Sequence, residues 1–423
     1  MTARTWLDQA RREALAEWIP AAALAMLAAL GYLAASRLVD PRLQQPATAN
    51  VWFDSDLPYR LEAMLRPGGW DNGGAHPLFP ALGHLLLKGA LALTAETDAL
   101  RAAGIAGAAV GGLFVVLLYA LFRRIELGRT DALLFAAIGA TSSGALFWFP
   151  VPESFGLAGS GVTLALLVAA SAQPSAAALA AACAASGASV ITNGIVGFLA
   201  VVAHNARPRQ WGRALGVLLL ALGGMTAVWA LQEWSFRTPF FLGDRLLEYR
   251  QHTFPLSLER TGHVARGLLV HSVVAPALYN DRPSFRRAEI ASSGAMGAIA
   301  TLAWLSLLLL GAIGSVRRAR AGVQPRLTLM AIGSLALMAA MHLSLGREMF
   351  LYALNVLPLL LVVAAASAEL PRARRIVRVL ALLLLAAGAV NNAQQLARAA
   401  EAARDLASQR LEAQQGSLAA SPL

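Results

Sequence analysis

The chain has 423 residues, of which 57% are hydrophobic and only 14% are charged. This balance excludes an ordinary soluble globular domain and is typical of proteins that cross a membrane several times. The net charge of +11 would suggest nucleic acid as a partner of a soluble protein. Here, however, the arginines cluster in short segments between apolar stretches, as in cytoplasmic loops, so no nucleic-acid partner is expected. The single cysteine, Cys183, excludes a disulfide framework and a cysteine metal site.

The first 100 residues predict one membrane crossing followed by a long outer loop. Residues 1–17 are polar and basic, which indicates a cytoplasmic amino terminus, and residues 18–36 are apolar over about 20 residues, the length of one crossing. Residues 37–100 then form the first outer loop. Its apolar run Ala81–Ala95 is short for a crossing, and a crossing there would move the basic segment Arg123–Arg129 to the outside. We therefore expect a juxtamembrane helix at the outer surface.

Ten further apolar segments alternate with short loops and with a second long outer loop, residues 233–289, which contains eight arginines. The predicted crossings are Arg101–Phe122, Asp131–Phe149, Phe155–Ser171, Ser175–Ile191, Ile195–His204, Arg213–Leu231, Ile290–Ile313, Leu327–Leu345, Met349–Ala366 and Val379–Val390. With the first crossing they make about 11 transmembrane helices between residues 18 and 392. Residues 393–423 are expected to form a loosely attached helix with a disordered end. The predicted fold class is all-α, a polytopic integral membrane protein of the bacterial plasma (inner) membrane.

Polar residues that loop solvation does not explain gather on the predicted outer side: Asp54, Asp56, His76, Glu153, Asn193, Arg347 and Glu348. Asp54 and Asp56 stand one residue apart. Two carboxylates at that spacing can share a divalent cation that carries a phosphate, or one can act as a general base while the other orients it. The alternative is a solvated loop start or a helix cap before Leu57–Leu65. The predicted crossings are almost free of acids, which argues against a coupled transporter.

Three of the other candidates each have a functional and a structural interpretation. His76 opens the segment His76–Pro80 (HPLFP), a rigid entry to the juxtamembrane helix, and its ring either binds a phosphate or is satisfied by the backbone. Glu153 either positions an acceptor hydroxyl or caps the helix that begins at Phe155. The tripeptide at 192–194 (TNG) is typical of a turn in which glycine supplies a positive φ.

Arg347 lies in a tight turn between two predicted crossings, and Tyr352 follows about one turn further along the chain. An arginine in this position suits a lipid phosphate, and its alternative role is to extend toward the membrane interface. The arginines of the second outer loop would make an outer vestibule attractive to anions.

The order of these features resembles that of the GT-C glycosyltransferases, polytopic enzymes that take a sugar from a polyprenyl-phosphate donor. This group includes protein mannosyltransferases and aminoarabinose transferases. Residues Phe53–Tyr59 (FDSDLPY) are similar to the acidic motif that follows the first crossing in this family. The segment His76–Pro80 is similar to the His/Pro run of the family, and Arg101 to the arginine that opens the next crossing.

Two further points complete the comparison with that family. Residues Arg347–Tyr352 (REMFLY), followed by Leu357 and Pro358, resemble the segment near the lipid-phosphate site. The adjacent Asp-Glu pair of the commoner family pattern is replaced here by Ser55 and Asp56, with an additional acid at residue 54.

The resemblance implies an inverting sugar transfer at the outer face of the membrane. The expected catalytic residues are Asp54, Asp56 and Glu153, and the expected ligands of the donor phosphate and lipid are Arg60, His76, Arg347 and Tyr352. An aspartate would deprotonate or orient the acceptor, and Asp54 and Asp56 are the candidate ligands of a divalent cation, Mg²⁺ or Mn²⁺. The implied partners are a polyprenyl-phosphate-sugar donor, a glycan, lipid or protein acceptor, and the lipid bilayer. A transporter or flippase for an isoprenoid-linked or anionic lipid is the alternative, and a non-catalytic membrane scaffold is a third hypothesis.

Overall fold

The computed structural model describes residues 3–66, 68, 75–205, 210–237, 253–281, 284–287, 294–322, 325–346 and 348–419. The α-helices of these residues are α1 (Ala3–Ser36), α2 (Leu57–Leu65), α3 (Phe79–Thr94), α4 (Ala99–Arg124), α5 (Arg129–Thr141), α6 (Ser143–Trp148), α7 (Phe155–Ala169), α8 (Ala176–Ala188), α9 (Gly194–His204), α10 (Trp211–Phe236), α11 (Leu258–Leu269), α12 (Gly294–Arg320), α13 (Pro325–Ser344), α14 (Ala353–Ala365) and α15 (Arg374–Ala419). Short 3₁₀ turns occur at Pro41–Gln44, Pro46–Thr48, Ile191–Asn193, Met349–Tyr352 and Ala366–Glu369. The strands β1 (Leu278–Asp281) and β2 (Ser284–Arg287) pair antiparallel.

Among the described residues, seven helices are long and apolar enough to cross a membrane. They are Ala16–Ser36, Ala99–Arg124, Trp211–Phe236, Gly294–Arg320, Arg326–Ser344, Met349–Glu369 and Arg374–Gly416. The protein is thus a helical, polytopic membrane protein, as the sequence predicts. Each of the seven coincides with a predicted crossing.

The predicted number of about 11 crossings is not confirmed. The other four predicted crossings fall on α7, α8 and α9, which have 15, 13 and 11 residues, and on α5 with α6, which have 13 and 6. Fifteen residues of α-helix rise about 22 Å, which is less than the roughly 30 Å of a bilayer's hydrocarbon core. Length alone therefore does not make any of these five helices a crossing.

The predicted crossing Asp131–Phe149 is two helices, because the chain breaks at Ser142. This residue has an extended backbone, and its Oγ accepts a hydrogen bond of 3.2 Å from the Ala145 amide, capping α6. The adjacent Gly144 approaches the backbone of α14, where a Cβ would come within 3.2 Å of the Leu354 nitrogen. The break thus lets α6 turn against α14.

Helix α14 is the centre of the bundle, with all 13 residues buried. Its neighbours approach it closely through small residues, as is common between helices in membranes. A Cβ at Gly159 of α7 would lie 2.8 Å from Leu354, and one at Gly311 of α12 would lie 2.2 Å from the Val363 carbonyl oxygen. The position of α14 therefore determines where the preceding 3₁₀ turn, Met349–Tyr352, lies in the bundle.

The expectation of a loosely attached tail after residue 392 is wrong for the described residues. Helix α15 continues without a break across residues 392 and 393, and its later half packs on the 3₁₀ turns of the first predicted outer loop. Arg42 donates to Ser408 Oγ at 2.6 Å, and Arg410 donates to the Ala49 carbonyl at 2.6 Å. Buried side chains such as Leu406 complete the contact. The partner of this helix lies more than 300 residues earlier in the chain, beyond the reach of any local pattern.

Candidate functional site

An open cleft with about 490 Å³ of empty space lies at one end of the helical bundle. Its lining residues are Asp54, Ser55, Asp56, Arg60, Ala75, His76, Glu153, Phe155, Val190, Ile191, Thr192, Leu351 and Tyr352. Six of the seven predicted site residues are therefore together in one space. The seventh, Arg347, lies outside the described residues.

The cleft is formed where several helices begin. Lining residues stand at or just before the first residue of α2, α3, α7, α9 and α14. A helix N-terminus carries a partial positive charge and unsatisfied amide groups, which favour anions. The backbone thus adds a positive contribution to a space whose charged side chains are three carboxylates and one guanidinium.

The loop that carries the two aspartates is held in an unusual backbone conformation. Phe53 has φ +52° and Asp54 has φ +62°, in the left-handed region that costs most residues about 1–2 kcal/mol. The Phe53 ring is 1% exposed and packs against Phe147 and Phe350, with ring centroids 5.5 and 5.0 Å away. Burial of this ring offsets the backbone strain, and such strain is common at functional sites.

Asp56 stands at the N-cap position of α2, but its side chain makes no capping hydrogen bond. Asp56 therefore occupies the predicted cap position without making the hydrogen bond of a cap. Its carboxylate instead lies 3.8 Å from the Arg60 guanidinium, one turn along α2, and its side chain is 33% exposed. Asp56 is thus accessible to a ligand in the cleft.

Arg60 connects the charged groups of the cleft. It is 4% exposed, and its Nε donates to Glu153 Oε1 at 3.3 Å. Its Nη2 lies 2.8 Å from His76 Nε2. The register of α2 thus brings one guanidinium within reach of two carboxylates and an imidazole.

The contacts of His76 define its protonation. A guanidinium cannot accept a hydrogen bond, so Nε2 of His76 accepts from Arg60 and the ring proton is on Nδ1. That proton faces the Ser189 carbonyl and Ser154 Oγ, each at 2.8 Å. Burial and the nearby guanidinium of Arg60 hold the pKa of His76 well below its ordinary value. His76 is therefore neutral, and a direct contact with a phosphate would require one of these hydrogen bonds to break.

The same contacts exclude a serine nucleophile activated by this histidine. A general base would need a free lone pair on Nδ1, where the ring carries its proton. Ser154 instead accepts from His76 and can donate to Glu153 Oε2, 3.3 Å away. Ser154 was not among the residues predicted from sequence, and its position next to Glu153 was the only signal.

Glu153 is buried, with a side chain 1% exposed. Its Oε2 accepts from the Ser154 amide at 2.8 Å, at the start of α7, as the capping interpretation expects. Its Oε1 accepts from Arg60, as a role in the cleft expects. Burial raises the pKa of Glu153, while Arg60 and the Ser154 amide oppose the rise. Glu153 is thus better placed to hold Arg60 than to exchange protons with solvent.

Tyr352 ends the 3₁₀ turn that leads into α14, and its ring lies over His342 with centroids 4.2 Å apart. Glu348 accepts from the Phe350 amide at 3.1 Å, which fixes the start of that turn. The turn therefore presents Tyr352 to the cleft.

The prediction for residues 192–194 is wrong in its backbone detail. Gly194 has φ −53°, so no positive φ is needed, and the segment is a 3₁₀ turn continuous with α9. Asn193 is fully buried and does not lie on a surface. Thr192, beside it, lines the cleft.

A divalent cation is compatible with the residues of the cleft. Among the described residues, no group of three or more His, Cys, Asp and Glu side chains is arranged to hold a metal ion. Magnesium, however, is usually held by one or two carboxylates together with substrate phosphates and water. Asp54 and Asp56 both line the cleft and supply two such carboxylates, so this donor set fits.

A second, mostly apolar pocket with about 360 Å³ of empty space adjoins the cleft. It lies between α3, α4 and the start of α7, and small residues such as Gly107 and Gly156 leave it open. Glu153 lines both spaces and is the single ionisable residue of the apolar one among the described residues.

No family model, curated protein or solved structure matches this chain. Its function is therefore argued from the chemistry of these two adjoining spaces.

Proposed function

We propose that this protein is a membrane glycosyltransferase of the GT-C type. It transfers a sugar from a polyprenyl-phosphate donor to a glycan, lipid or protein acceptor at the outer face of the plasma membrane. The observation that carries the proposal is the cleft, in which acids, an arginine and a histidine from distant parts of the chain line one space. A membrane protein that only scaffolds has no need to bring such groups together.

The shape of the two spaces supports an amphiphilic donor. The charged cleft and the apolar pocket meet at Glu153. A polyprenyl phosphate has an anionic head and a hydrocarbon chain, and each part matches one of the two spaces. The phosphate then lies near Arg60 and the helix N-termini, which attract anions.

The two aspartates are the candidates for the general base. Asp56 is partly exposed and Asp54 lines the same cleft, whereas Glu153 is buried against Arg60. A base must reach the acceptor hydroxyl, at about 2.6–3.2 Å in the reacting complex. Asp56 or Asp54 therefore takes the acceptor proton, and Glu153 holds the arginine that stabilises the leaving phosphate.

A divalent cation, Mg²⁺ or Mn²⁺, would be held by Asp54 or Asp56, whichever does not take the acceptor proton, and would supply positive charge beside the leaving phosphate. Chelation tests this part of the proposal. Transfer that stops with EDTA and returns with either metal supports it. Transfer that EDTA does not change assigns the phosphate to Arg60 and Arg347 without a metal.

The decisive experiment measures sugar transfer by the purified protein from polyprenyl-phosphate sugars. Asp54→Asn and Asp56→Asn are compared with wild type and with Asp405→Asn, which changes an exposed aspartate of α15. At least one cleft variant should lose about tenfold or more in rate, equal to about 1.4 kcal/mol of barrier. If both cleft variants transfer as well as Asp405→Asn does, the aspartates are not catalytic.

The alternative, a transporter or flippase for an isoprenoid-linked or anionic lipid, predicts a different result. Such a protein would move the labelled lipid across a proteoliposome membrane without releasing or transferring its sugar. Among the described residues, Asp131 is a buried acid within a predicted crossing. Its carboxylate already pairs with Arg374 Nη2 at 3.0 Å and with Arg378 Nε at 2.7 Å. That pairing does not favour a proton-coupled carrier.

A further inference from the structure

Beside the charged part of the cleft lies a group of uncharged polar side chains whose hydrogen bonds are not made within the described residues. The Oγ of Ser55, the Oγ1 of Thr192 and both amide atoms of Asn193 and Asn355 have no partner there. Ser55 is 2% exposed, and the two asparagines are fully buried. Native proteins leave few buried polar atoms unpaired, and each such atom calls for an explanation.

All four side chains belong to segments that line the cleft. Ser55 and Thr192 are themselves lining residues. Asn193 follows Thr192 directly, and Asn355 comes three residues after the lining residue Tyr352. Tyr352 is the N-cap residue of α14, so Asn355 lies in the first turn of that helix. Ser55 and Thr192 thus line the cleft directly, and the two asparagines are buried in segments that adjoin its lining residues.

Neither asparagine side chain caps a helix or bonds to the described backbone, which are the usual structural roles of a buried asparagine. Asn193 stands at the N-cap position of α9, yet its side chain makes no capping hydrogen bond. Asn355 is on α14, whose N-cap residue likewise makes no side-chain hydrogen bond, and the amide of Asn355 bonds to nothing described. Buried amides without partners cost stability, so a structural role does not account for them.

We infer that Ser55 and Thr192, with the buried amides of Asn193 and Asn355 next to them in the adjoining segments, form a neutral subsite that binds the hydroxyl groups of a sugar. An amide offers one acceptor and two donors, and a serine or threonine hydroxyl both donates and accepts, which matches sugar hydroxyls. None of the four carries a charge, so the subsite suits a neutral polyol and not the phosphate. The phosphate belongs to the part of the cleft that contains Arg60. This inference rests on the proposed function, because it identifies the part of the site that binds the donor sugar.

The experiment measures binding separately from transfer. Full-length protein in lipid nanodiscs is titrated with a short-chain polyprenyl phosphate and with the same compound carrying one hexose or one pentose. The ratio of the two dissociation constants is the sugar preference. Wild type should prefer at least one sugar-bearing compound by about tenfold or more, equal to about 1.4 kcal/mol.

Two matched pairs of variants locate that preference. Thr192→Val removes a hydroxyl of the subsite, and Thr301→Val removes an equally unpartnered buried hydroxyl of α12 that does not line the cleft. Asn355→Leu removes an unpartnered buried amide of α14, and its control, Gln395→Met, removes an unpartnered buried amide of α15. Each subsite variant should lower the sugar preference by about fivefold or more while binding of the sugar-free phosphate stays constant. The control variants should change neither quantity.

Thermal unfolding distinguishes a ligand role from a structural one. Asn355→Leu replaces an unpaired buried amide by an apolar group of similar size, so the melting temperature should stay the same or rise. A lower melting temperature with an unchanged sugar preference would overturn the inference and make Asn355 structural. Wild type without any sugar preference would overturn it as well. Loss of preference in the subsite variants of a protein that transfers no sugar would uphold the subsite and refute the glycosyltransferase.

Discussion

Replacing Arg60 by glutamine should destabilise the protein in a way that depends on pH. The guanidinium is buried and lies 3.3 Å from Glu153 and 3.8 Å from Asp56. Without it, Glu153 remains as a buried carboxylate whose nearest counter-charge has gone. The residual stabilisation of Glu153 then comes from the Ser154 amide, 2.8 Å away.

The magnitude follows from the burial of each partner. Removing one partner of a buried ion pair typically costs about 3–5 kcal/mol. The Glu153 side chain is 1% exposed, so its contact with Arg60 belongs to this class, whereas Asp56 is 33% exposed and recovers hydration. We therefore expect a loss of about 3 kcal/mol at pH 8, almost all of it from Glu153.

The pH dependence has a definite sign. Burial raises the folded-state pKa of Glu153, and Arg60 opposes the rise, so the pKa is higher still in Arg60→Gln. A folded state that holds a proton more tightly than the unfolded chain is most stable at low pH. It then loses about 1.4 kcal/mol per pH unit as the pH rises from the ordinary glutamate pKa to the raised one. The variant should thus regain stability on acidification, more steeply than wild type.

The assay is thermal unfolding in lipid nanodiscs from pH 5 to pH 8, followed by tryptophan fluorescence. Arg66→Gln is the control, because Arg66 is an exposed arginine at the end of the same helix. The double variant Arg60→Gln/Glu153→Gln has no buried charge left at these two positions and should recover most of the lost stability. The reasoning is refuted if Arg60→Gln melts like Arg66→Gln at pH 8, or if the double variant is no more stable than Arg60→Gln.

Three further substitutions test the supports of the fold. Asp131→Asn leaves two half-exposed arginines of α15 without their shared carboxylate, so thermal unfolding should show a loss of about 1–3 kcal/mol that salt reduces. Phe53→Ala removes a fully buried ring from the loop of the two aspartates and should cost about 3–5 kcal/mol, with sugar transfer lost even where the protein still folds. Leu406→Asp introduces a charge where α15 meets the first predicted outer loop, and proteolysis of α15 after residue 392 should become faster than in wild type.

Several features of the site follow from sequence because membrane topology is a strong constraint. Apolar runs and basic loops fix which polar segments share a side of the membrane. That constraint groups Asp54, Asp56, His76 and Glu153, and the structure brings all four to one cleft. The predicted ends of α4 and α13 agree with the structure to within two residues, whereas α1 and α15 extend well beyond the predicted crossings.

Other features depend on packing that no local pattern encodes. Arg60 contacts Glu153 and His76, which are 93 and 16 residues away in sequence. The buried state of Asn193 is invisible in a tripeptide that is typical of exposed turns. The break at Ser142 has only a weak signal in the sequence, a Ser-Ser-Gly stretch inside an apolar run that by itself favours one continuous helix.

The charges of the cleft limit what can bind there. Its described side chains include three carboxylates, of Asp54, Asp56 and Glu153, against the single guanidinium of Arg60, and His76 is neutral. Even with Glu153 protonated, the side chains do not attract a phosphate, and the helix N-termini contribute only partial charges. An anionic donor therefore needs further positive charge, either a divalent cation on the two aspartates or the guanidinium of Arg347. Because a cation would neutralise both aspartates, it would leave neither as an effective base, so metal binding and base catalysis are assigned to different aspartates or to different steps.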